Sequence, residues 1–324
     1  MVQAIRVEEC GGPEVLKWTE VDQPRPGPGE ALIRHKAVGL NFIDVYFRTG
    51  LYPVPQMPFI PGNEGAGDVI EVGDGVTEVK VGDRVAYAAT IGAYTEERVI
   101  AADRLVKIPE GISYETGAAM MLKGMTAQYL LRRTFKVEPG QTILFHAAAG
   151  GVGLIACQWA NYLGATVIGT VGSEEKAELA RAHGAHHTIN YRTENFVDRV
   201  KELTNGVGVD VVYDSVGKDT YPGSLDCLKP LGLWALFGQS SGPIPPVDLA
   251  ILNQKGSLFC TRPTLFTYVA KREDLLATAN ELIDVINKGV VKIEINQTYA
   301  LKNAEQAHRG LEGRKTTGAT VLMP

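Results

Sequence analysis

Hydrophobic and polar positions follow two rhythms along the 324 residues, and the change falls near Gly124. Before it, short apolar runs alternate with glycine- and proline-rich turns. Glu30–Val38, Gly67–Val72, Arg84–Tyr87 and Tyr94–Ile100 read as strands, divided by the turn segments Pro24–Gly29, Pro53–Pro61 and Val81–Arg84. Asn41–Arg48 reads as a short helix among them. Beyond Gly124 the pattern alternates regularly. Helices are expected at Thr126–Thr134, residues 152–163, Glu174–His183, Asn195–Thr204 and Thr220–Leu228. Strands are expected at residues 141–145, Thr166–Val171, His187–Asn190, Val209–Tyr213, Leu233–Phe237 and Ser257–Cys260. Strands divided by helices imply parallel βαβ units and a doubly wound sheet covered on both faces. After Pro263, the residues Leu275, Leu276, Ala279, Leu282, Ile283 and Ile286 give one apolar face to a helix over Lys271–Lys288. Ile293–Leu301 and Ala319–Met323 then read as strands returning to the first domain. The expected organisation is an α/β chain whose β-rich domain spans 1–123 and 263–324, with a parallel-sheet domain inserted at 124–262.

The densest chemical signal lies at the first strand-to-helix junction of that inserted domain. Residues 145–153 read Phe-His-Ala-Ala-Ala-Gly-Gly-Val-Gly between a strand and an amphipathic helix. Helix N-termini present unpaired amides and a favourable dipole to anions. Small side chains at Ala147, Ala148 and Ala149, and none at Gly150, Gly151 and Gly153, let a pyrophosphate approach the backbone, and Gly153 lets helix pack on strand. A glycine cluster alone can be a tight turn; followed by repeated α/β alternation, it marks a dinucleotide site in a Rossmann domain.

Composition narrows the function classes. A net charge of −5 gives no basic excess for nucleic-acid binding. The start, Met1–Val7, has no signal-like apolar region, and no later apolar run is long enough to span a bilayer. Cys10, Cys157, Cys227 and Cys260 lie far apart without a CxxC pair, the pattern of reduced thiols in a cytoplasmic protein.

Several blocks carry a specific resemblance. His146–Gln158, Gly39-Leu-Asn-Phe-Ile-Asp-Val-Tyr46 with Gly50-Leu-Tyr52, Asp214-Ser-Val-Gly217, Phe237-Gly-Gln-Ser-Ser-Gly242 and Thr261-Arg-Pro263 follow one another in a fixed order. They resemble the zinc-free quinone oxidoreductases (zeta-crystallin-like) of the medium-chain dehydrogenase/reductase superfamily, over almost the whole chain. The resemblance implies a GroES-like catalytic domain, a Rossmann domain, a cleft between them and a homodimer. Zinc-dependent relatives take ligands from a Cys near position 39 and from the His of a Pro-Gly-His-Glu segment. Here that segment is Pro61-Gly62-Asn63-Glu64, and no Cys lies between Cys10 and Cys157. Glu64 alone cannot hold Zn²⁺, so no metal is expected.

An NAD-type site ends its second strand on an acid that binds the ribose 2′-hydroxyl. Val171 stands there, 18 positions beyond Gly153. Ser173 and Lys176 follow, able to bind a 2′-phosphate; by position alone the first reading is a helix cap and a solvated charge, with Glu174 and Glu175 diluting the positive field. Tyr191 and Arg314 resemble residues that close the phosphate pocket in the family, which favours NADPH. The resemblance carries Asn41, Thr126, Gly150, Gly151, Val152, Ser215, Phe237, Gln239 and Ser240 over as further cofactor contacts.

Without a metal, hydrogen-bond donors must meet the charge that develops on the acceptor oxygen. Asn41, Tyr46 and Tyr52 are the candidates, with core packing the plain alternative for Tyr46 and shaping of the cleft wall that for Tyr52. His35, His146 and the pair His186-His187 read as loop or core residues, and the Pro53–Phe59 loop is a candidate border of the substrate entrance. The expected reaction is metal-independent transfer of reducing equivalents from NADPH to a quinone. NADPH-dependent reduction of activated C=C bonds is the alternative; an RNA-binding or regulatory nucleotide-binding protein is the reading from another class. A homodimer is expected to pair through Ser257–Cys260, since an exposed sheet edge invites a second strand.

Overall fold

A computed structural model describes residues 1–54 and 56–324. Pro55, inside the Pro53–Phe59 loop, lies outside the described residues. The chain divides into two compact units, one comprising Met1–Lys123, Val269–Ala279 and Ile293–Pro324, the other Gly124–Tyr268 and Asn280–Lys292.

In the first unit, β1 (Val2–Arg6) and β2 (Lys17–Val21) form an antiparallel ribbon. A seven-stranded sheet contains β3 (Glu30–Leu40), β4 (Glu64–Val72), β5 (Arg84–Ala88), β6 (Glu97–Ala101) and β7 (Val106–Lys107). It is completed from the end of the chain by β14 (Ile295–Ala300) and β15 (Ala319–Met323). β15 runs antiparallel to β3, with Leu322 opposite Val38, so residues nearly three hundred positions apart share one core. Ile33, Val38, Leu40, Val69, Val85 and Tyr94 pack there with Leu301, Ala304 and Leu322. The short helix α1 (Phe42–Arg48) follows β3 directly, with Asn41 as its N-cap.

α2 (Tyr114–Tyr129) starts twelve residues before the Thr126 suggested by the hydrophobic pattern. Its early part, Gly-Ala-Ala-Met-Met-Leu, is small and apolar and is buried on most sides, so no 3.6-residue stripe announces it. The N-terminal strands, β7 and the helix Ala304–Glu312 were also absent from the sequence reading.

The second unit holds six strands. These are β8 (Thr142–Phe145), β9 (Thr166–Val171), β10 (His187–Asn190), β11 (Val209–Asp214), β12 (Leu228–Leu236) and β13 (Phe259–Thr261). All pair in parallel in the order β10-β9-β8-β11-β12-β13. This is the doubly wound dinucleotide-fold order, whose strand sequence reverses between β8 and β11. Ile143, Leu144, Val167, Ile168, Val211 and Val212 are buried, as strands covered on both faces require. α3 (Gly151–Tyr162), α4 (Glu174–Ala182) and α5 (Phe196–Leu203) connect them. The helix expected over Thr220–Leu228 shrinks to Gly223–Asp226. The Val209 amide takes the Cys227 carbonyl at 2.8 Å and Leu228 pairs with Val209, so the chain leaves the helix to start β12 early.

Candidate functional site

β8 delivers the chain into the glycine turn. Ala147 adopts a left-handed φ of 57°, and the Gly150 amide closes the turn on the Ala147 carbonyl at 2.9 Å. Gly150 is the N-cap of α3 and provides no side-chain cap, leaving the first-turn amides of Gly151, Val152 and Gly153 without an intrahelical partner. A Cβ at Gly153 would collide with the Ala147 and Ala148 carbonyl oxygens, so the helix can seat on the turn only because that position is glycine. The result is an uncapped helix N-terminus at the carboxyl edge of the sheet, fitted to a phosphate.

β9 ends at Val171 without a carboxylate. Ser173 caps α4, its Oγ accepting from the Lys176 amide at 3.3 Å, and its hydroxyl hydrogen remains a donor. Tyr191 donates its amide to the Val171 carbonyl at 3.1 Å, and its phenol lies over Gly172, where a Cβ would stand 2.5 Å from the phenolic oxygen. Gly172, Ser173, the start of α4 and Tyr191 therefore share one corner. Glu174 is ion-paired with Arg181 at 2.6 Å, which compensates part of the negative field beside Lys176.

The next two segments hang on Asp214, the last residue of β11. Its carboxylate accepts from the Val216 and Gly217 amides at 2.8 and 3.1 Å, curling the chain around Ser215. Its backbone carbonyl accepts from the Phe237 and Gly238 amides at 2.8 and 3.2 Å, and the Ser240 amide donates to the Ser215 carbonyl at 3.0 Å. Ser215, Phe237, Gln239 and Ser240 are thus brought together. Burial alone would raise the Asp214 carboxyl; the neighbouring His146 and the hydrogen bonds from Ser224, Val216 and Thr220 outweigh it and hold the group below the usual carboxylate value.

In the first unit, the buried Asn41 amide donates to Glu64 Oε2 at 2.8 Å. Glu64 is fully buried, accepts the Leu122 amide at 2.7 Å and pairs with the Lys123 ammonium at 3.1 Å. Gly39 must lack a side chain, because a Cβ there would strike the Ala118 carbonyl and the Glu64 carboxylate. The Asn41 backbone amide donates to Asp44 Oδ2 at 2.9 Å, and Asn63 Nδ2 donates to Asp44 Oδ1 at 2.8 Å. Asn63 Nδ2 and the Glu64 carboxylate are thus engaged by Asp44, Asn41 and Lys123, and among the described residues no three His, Cys, Asp or Glu side chains converge as metal ligands would.

Tyr46 is buried and Tyr52 half-buried, with ring centroids 5.1 Å apart; the Tyr52 amide donates to the Tyr46 carbonyl at 3.0 Å. The structure makes neighbours of the two phenols. Thr126 is buried in the last turn of α2, and Arg314 lies in a left-handed turn, φ 56°, just after the helix Ala304–Glu312. His35 and His146 are core residues and His186 and His187 are exposed. Sequence reasoning missed Lys123 and gave no role to the Asp214 side chain. A lone lysine in the apolar run 117–131 was the signal for a buried pair, and Asp-Ser-Val-Gly at a strand end was the signal for a side chain folding back on its own amides.

A β-rich GroES-like unit and a Rossmann sheet with an uncapped glycine turn define a nucleotide-dependent oxidoreductase of the medium-chain dehydrogenase/reductase type. The alcohol dehydrogenase GroES-like domain model matches residues 27–110, and the zinc-binding dehydrogenase model matches residues 151–283. A quinone oxidoreductase of Pseudomonas aeruginosa is 56% identical, with all of both chains covered. The structure of Escherichia coli quinone oxidoreductase complexed with NADPH superposes with a TM-score of 0.98 at 51% identity, covering 99% of this chain and 100% of that one. A 2-haloacrylate reductase of Burkholderia is 47% identical over 100% of this chain and 99% of its own length. The chain belongs to the quinone oxidoreductase family of the medium-chain dehydrogenase/reductase superfamily.

Proposed function

We propose that this protein is a metal-independent NADPH:quinone oxidoreductase. The observation that carries the reading is the uncapped N-terminus of α3 at the carboxyl edge of the sheet, in a chain that matches quinone oxidoreductases along its whole length. Bound there, the nicotinamide cofactor supplies the hydride. The α3 amides of Gly151 and Val152, with Gly150, hold the pyrophosphate. Ser173, Lys176 and Tyr191 hold the 2′-phosphate, supported by their shared corner and the missing carboxylate at Val171. Ser215, Phe237, Gln239 and Ser240 line the path towards the nicotinamide, and Thr126, Asn41 and Arg314 are assigned by resemblance.

Asn41, Tyr46 and Tyr52 are the proposed catalytic donors to the acceptor oxygen. Glu64 takes one hydrogen of the Asn41 amide at 2.8 Å, and the second has only a long contact, 3.4 Å to the Gly39 carbonyl, to give up for an acceptor. Residues 1–123 and 263–324 are proposed as the catalytic domain and 124–262 as the cofactor domain. A homodimer forms through the sheet edge at β13, where Phe259 and Cys260 are exposed, and a monomer in light scattering at micromolar concentration would remove that assignment. The cytoplasm is the proposed compartment, supported by four free cysteines; among the described residues no helix is long and apolar enough to cross a membrane.

The test follows NADPH oxidation with 1,4-benzoquinone and with a 2-alkenal in parallel, each repeated with NADH. Quinone turnover with NADPH preferred is the expected result. Turnover of the alkenal alone would move the function to C=C reduction, the second reading, which the Burkholderia reductase supports. No turnover with either would overturn the catalytic assignment.

A further inference from the structure

Beneath the glycine turn lies a buried set of hydrogen-bonding groups to which the cofactor contacts give no role: His146, Thr170, Ser224 and Asp214, all at most 2% exposed. Their proton positions follow from counting. Asp214 Oδ2 accepts from Ser224 Oγ at 2.8 Å, Thr220 Oγ1 at 2.8 Å and Trp234 Nε1 at 3.1 Å, in addition to the two backbone amides on Oδ1. An ionised carboxylate only accepts, so the single Ser224 hydrogen points at it. Ser224 Oγ, 3.1 Å from His146 Nε2, must then accept, and Nε2 carries the imidazole hydrogen. Burial disfavours the imidazolium and lowers the His146 pKa, so Nδ1 is an acceptor for the Thr170 hydroxyl at 3.0 Å. Thr170 Oγ1 in turn receives the Ala147 amide, the first of the turn, at 3.3 Å.

One directed chain results: Ala147 N–H to Thr170, Thr170 to His146, His146 to Ser224, Ser224 to Asp214. It touches the carboxyl ends of β8, β9 and β11. Through the Asp214 carbonyl it also reaches the segment that follows β12. We propose that His146 and Ser224 are positioning residues for the cofactor, locking the glycine turn in register with the Ser215 and Phe237–Ser240 segments through a single neutral Nε2–H tautomer. Every member has one donor direction that satisfies all the others, so one missing link leaves buried groups unpaired on both sides. The proposal rests on the reading of the α3 N-terminus as the NADPH site.

The test uses the full chain. Histidine-selective ¹⁵N NMR of the protein without cofactor is expected to show His146 as the neutral Nε2–H tautomer at pH 7. An Nδ1–H tautomer or an imidazolium overturns the chain whether or not NADPH binds. NADPH affinity is then measured for His146→Phe, His146→Gln and Ser224→Ala. Phe keeps the edge-to-face packing on Phe196 (centroids 5.1 Å apart) and removes both hydrogen bonds, whereas Gln keeps a donor towards Ser224. The expected result is about a tenfold weaker Kd for H146F and S224A, a double variant hardly weaker than either single one, and substantial recovery in H146Q. KM for NADPH should rise more than kcat falls. Folded H146F and S224A proteins that bind NADPH within twofold of wild type, or effects that multiply in the double variant, overturn the positioning role. Wild-type protein that does not bind NADPH removes the cofactor reading, and the positioning role with it.

Discussion

Two buried histidines, one in each unit, stand in the same kind of hydrogen-bonded chain and end on carboxyls shifted in opposite directions. In the second unit His146 reaches Asp214 through Ser224. In the first, Arg48 Nη1 donates to His308 Nδ1 at 3.0 Å, so His308 also carries its hydrogen on Nε2. That nitrogen lies 3.1 Å from the Tyr94 hydroxyl, which donates to Asp44 at 3.0 Å. Asp214 collects five donors, and its carboxyl is held below the ordinary value. Asp44 collects three, and burial pushes its carboxyl up to about 6 despite Asn63, the Asn41 amide, Tyr94 and the charge of Lys123. Both are fully buried, so burial does not separate them. His146 beside Asp214 and the donors aimed at each oxygen set the direction in which a dry carboxyl is shifted.

The sharpest way to break the comparison is to remove the two carboxylates. Asp214→Ala strands four donors, Thr220 keeping the Gly217 carbonyl at 2.9 Å, and is expected to cost about 4 kcal/mol in urea unfolding, against about 2 kcal/mol for Asp44→Ala. Equal losses would mean that donor count is not the deciding quantity.

Glu64 extends the series to a buried carboxylate balanced by a cation. Lys123→Met leaves that charge uncompensated beside Asn41 and should cost about 3 kcal/mol, partly restored in Lys123→Met/Glu64→Gln. Thermal melts of the single and double variants would settle it, and a double variant no better than the single one would refute the charge argument.

Acid separates the two aspartates by sign. Asp44 holds its proton more tightly when folded, so its contribution to stability is present at low pH and is lost as pH rises from the ordinary carboxylate range through about 6. Asp214 is the reverse: its contribution is present above that range and is lost as pH falls through it. His308, lowered to about 3 by burial and by the Arg48 charge, likewise loses its contribution as pH falls below the ordinary imidazole value. The stability of wild type relative to Asp44→Asn should therefore improve by about 2 kcal/mol between pH 7 and pH 4. The same difference for Asp214→Asn should move the other way at the acid end, in unfolding curves taken across that range.

The smallest effect tests the cofactor corner that the second unit adds. Gly172→Ala must displace the Tyr191 phenol, which lies where the new methyl would go. NADPH affinity should fall about fivefold, near 1 kcal/mol, while NADH affinity stays unchanged. Equal losses for both nucleotides would point to a general disturbance of the turn.

Much of the second unit was legible in the sequence because its signals are local. Strands such as Thr166–Val171 and His187–Asn190, and the glycine turn, depend on residues within a few positions of one another, and they stand where the pattern put them. The early part of α2 escaped because burial on most sides erases the apolar stripe that marks a helix. The network around Asn41 escaped for another reason: Glu64 and Lys123 lie 59 positions apart, and Tyr94 and His308 lie 214 apart. No spacing rule links such pairs.

The sequence by itself determined the α/β class, the parallel sheet, the glycine turn at the start of α3 and the absence of an acid at Val171, because backbone periodicity, helix-end chemistry and residue identity are properties of short segments. Tertiary structure alone decided which polar groups meet in the dry interior: that Ser224 turns onto Asp214, that Lys123 neutralises Glu64, that Tyr191 covers Gly172. In that interior an unpaired polar group costs more than a hydrogen bond returns, so protonation states are fixed by the neighbours the fold assembles.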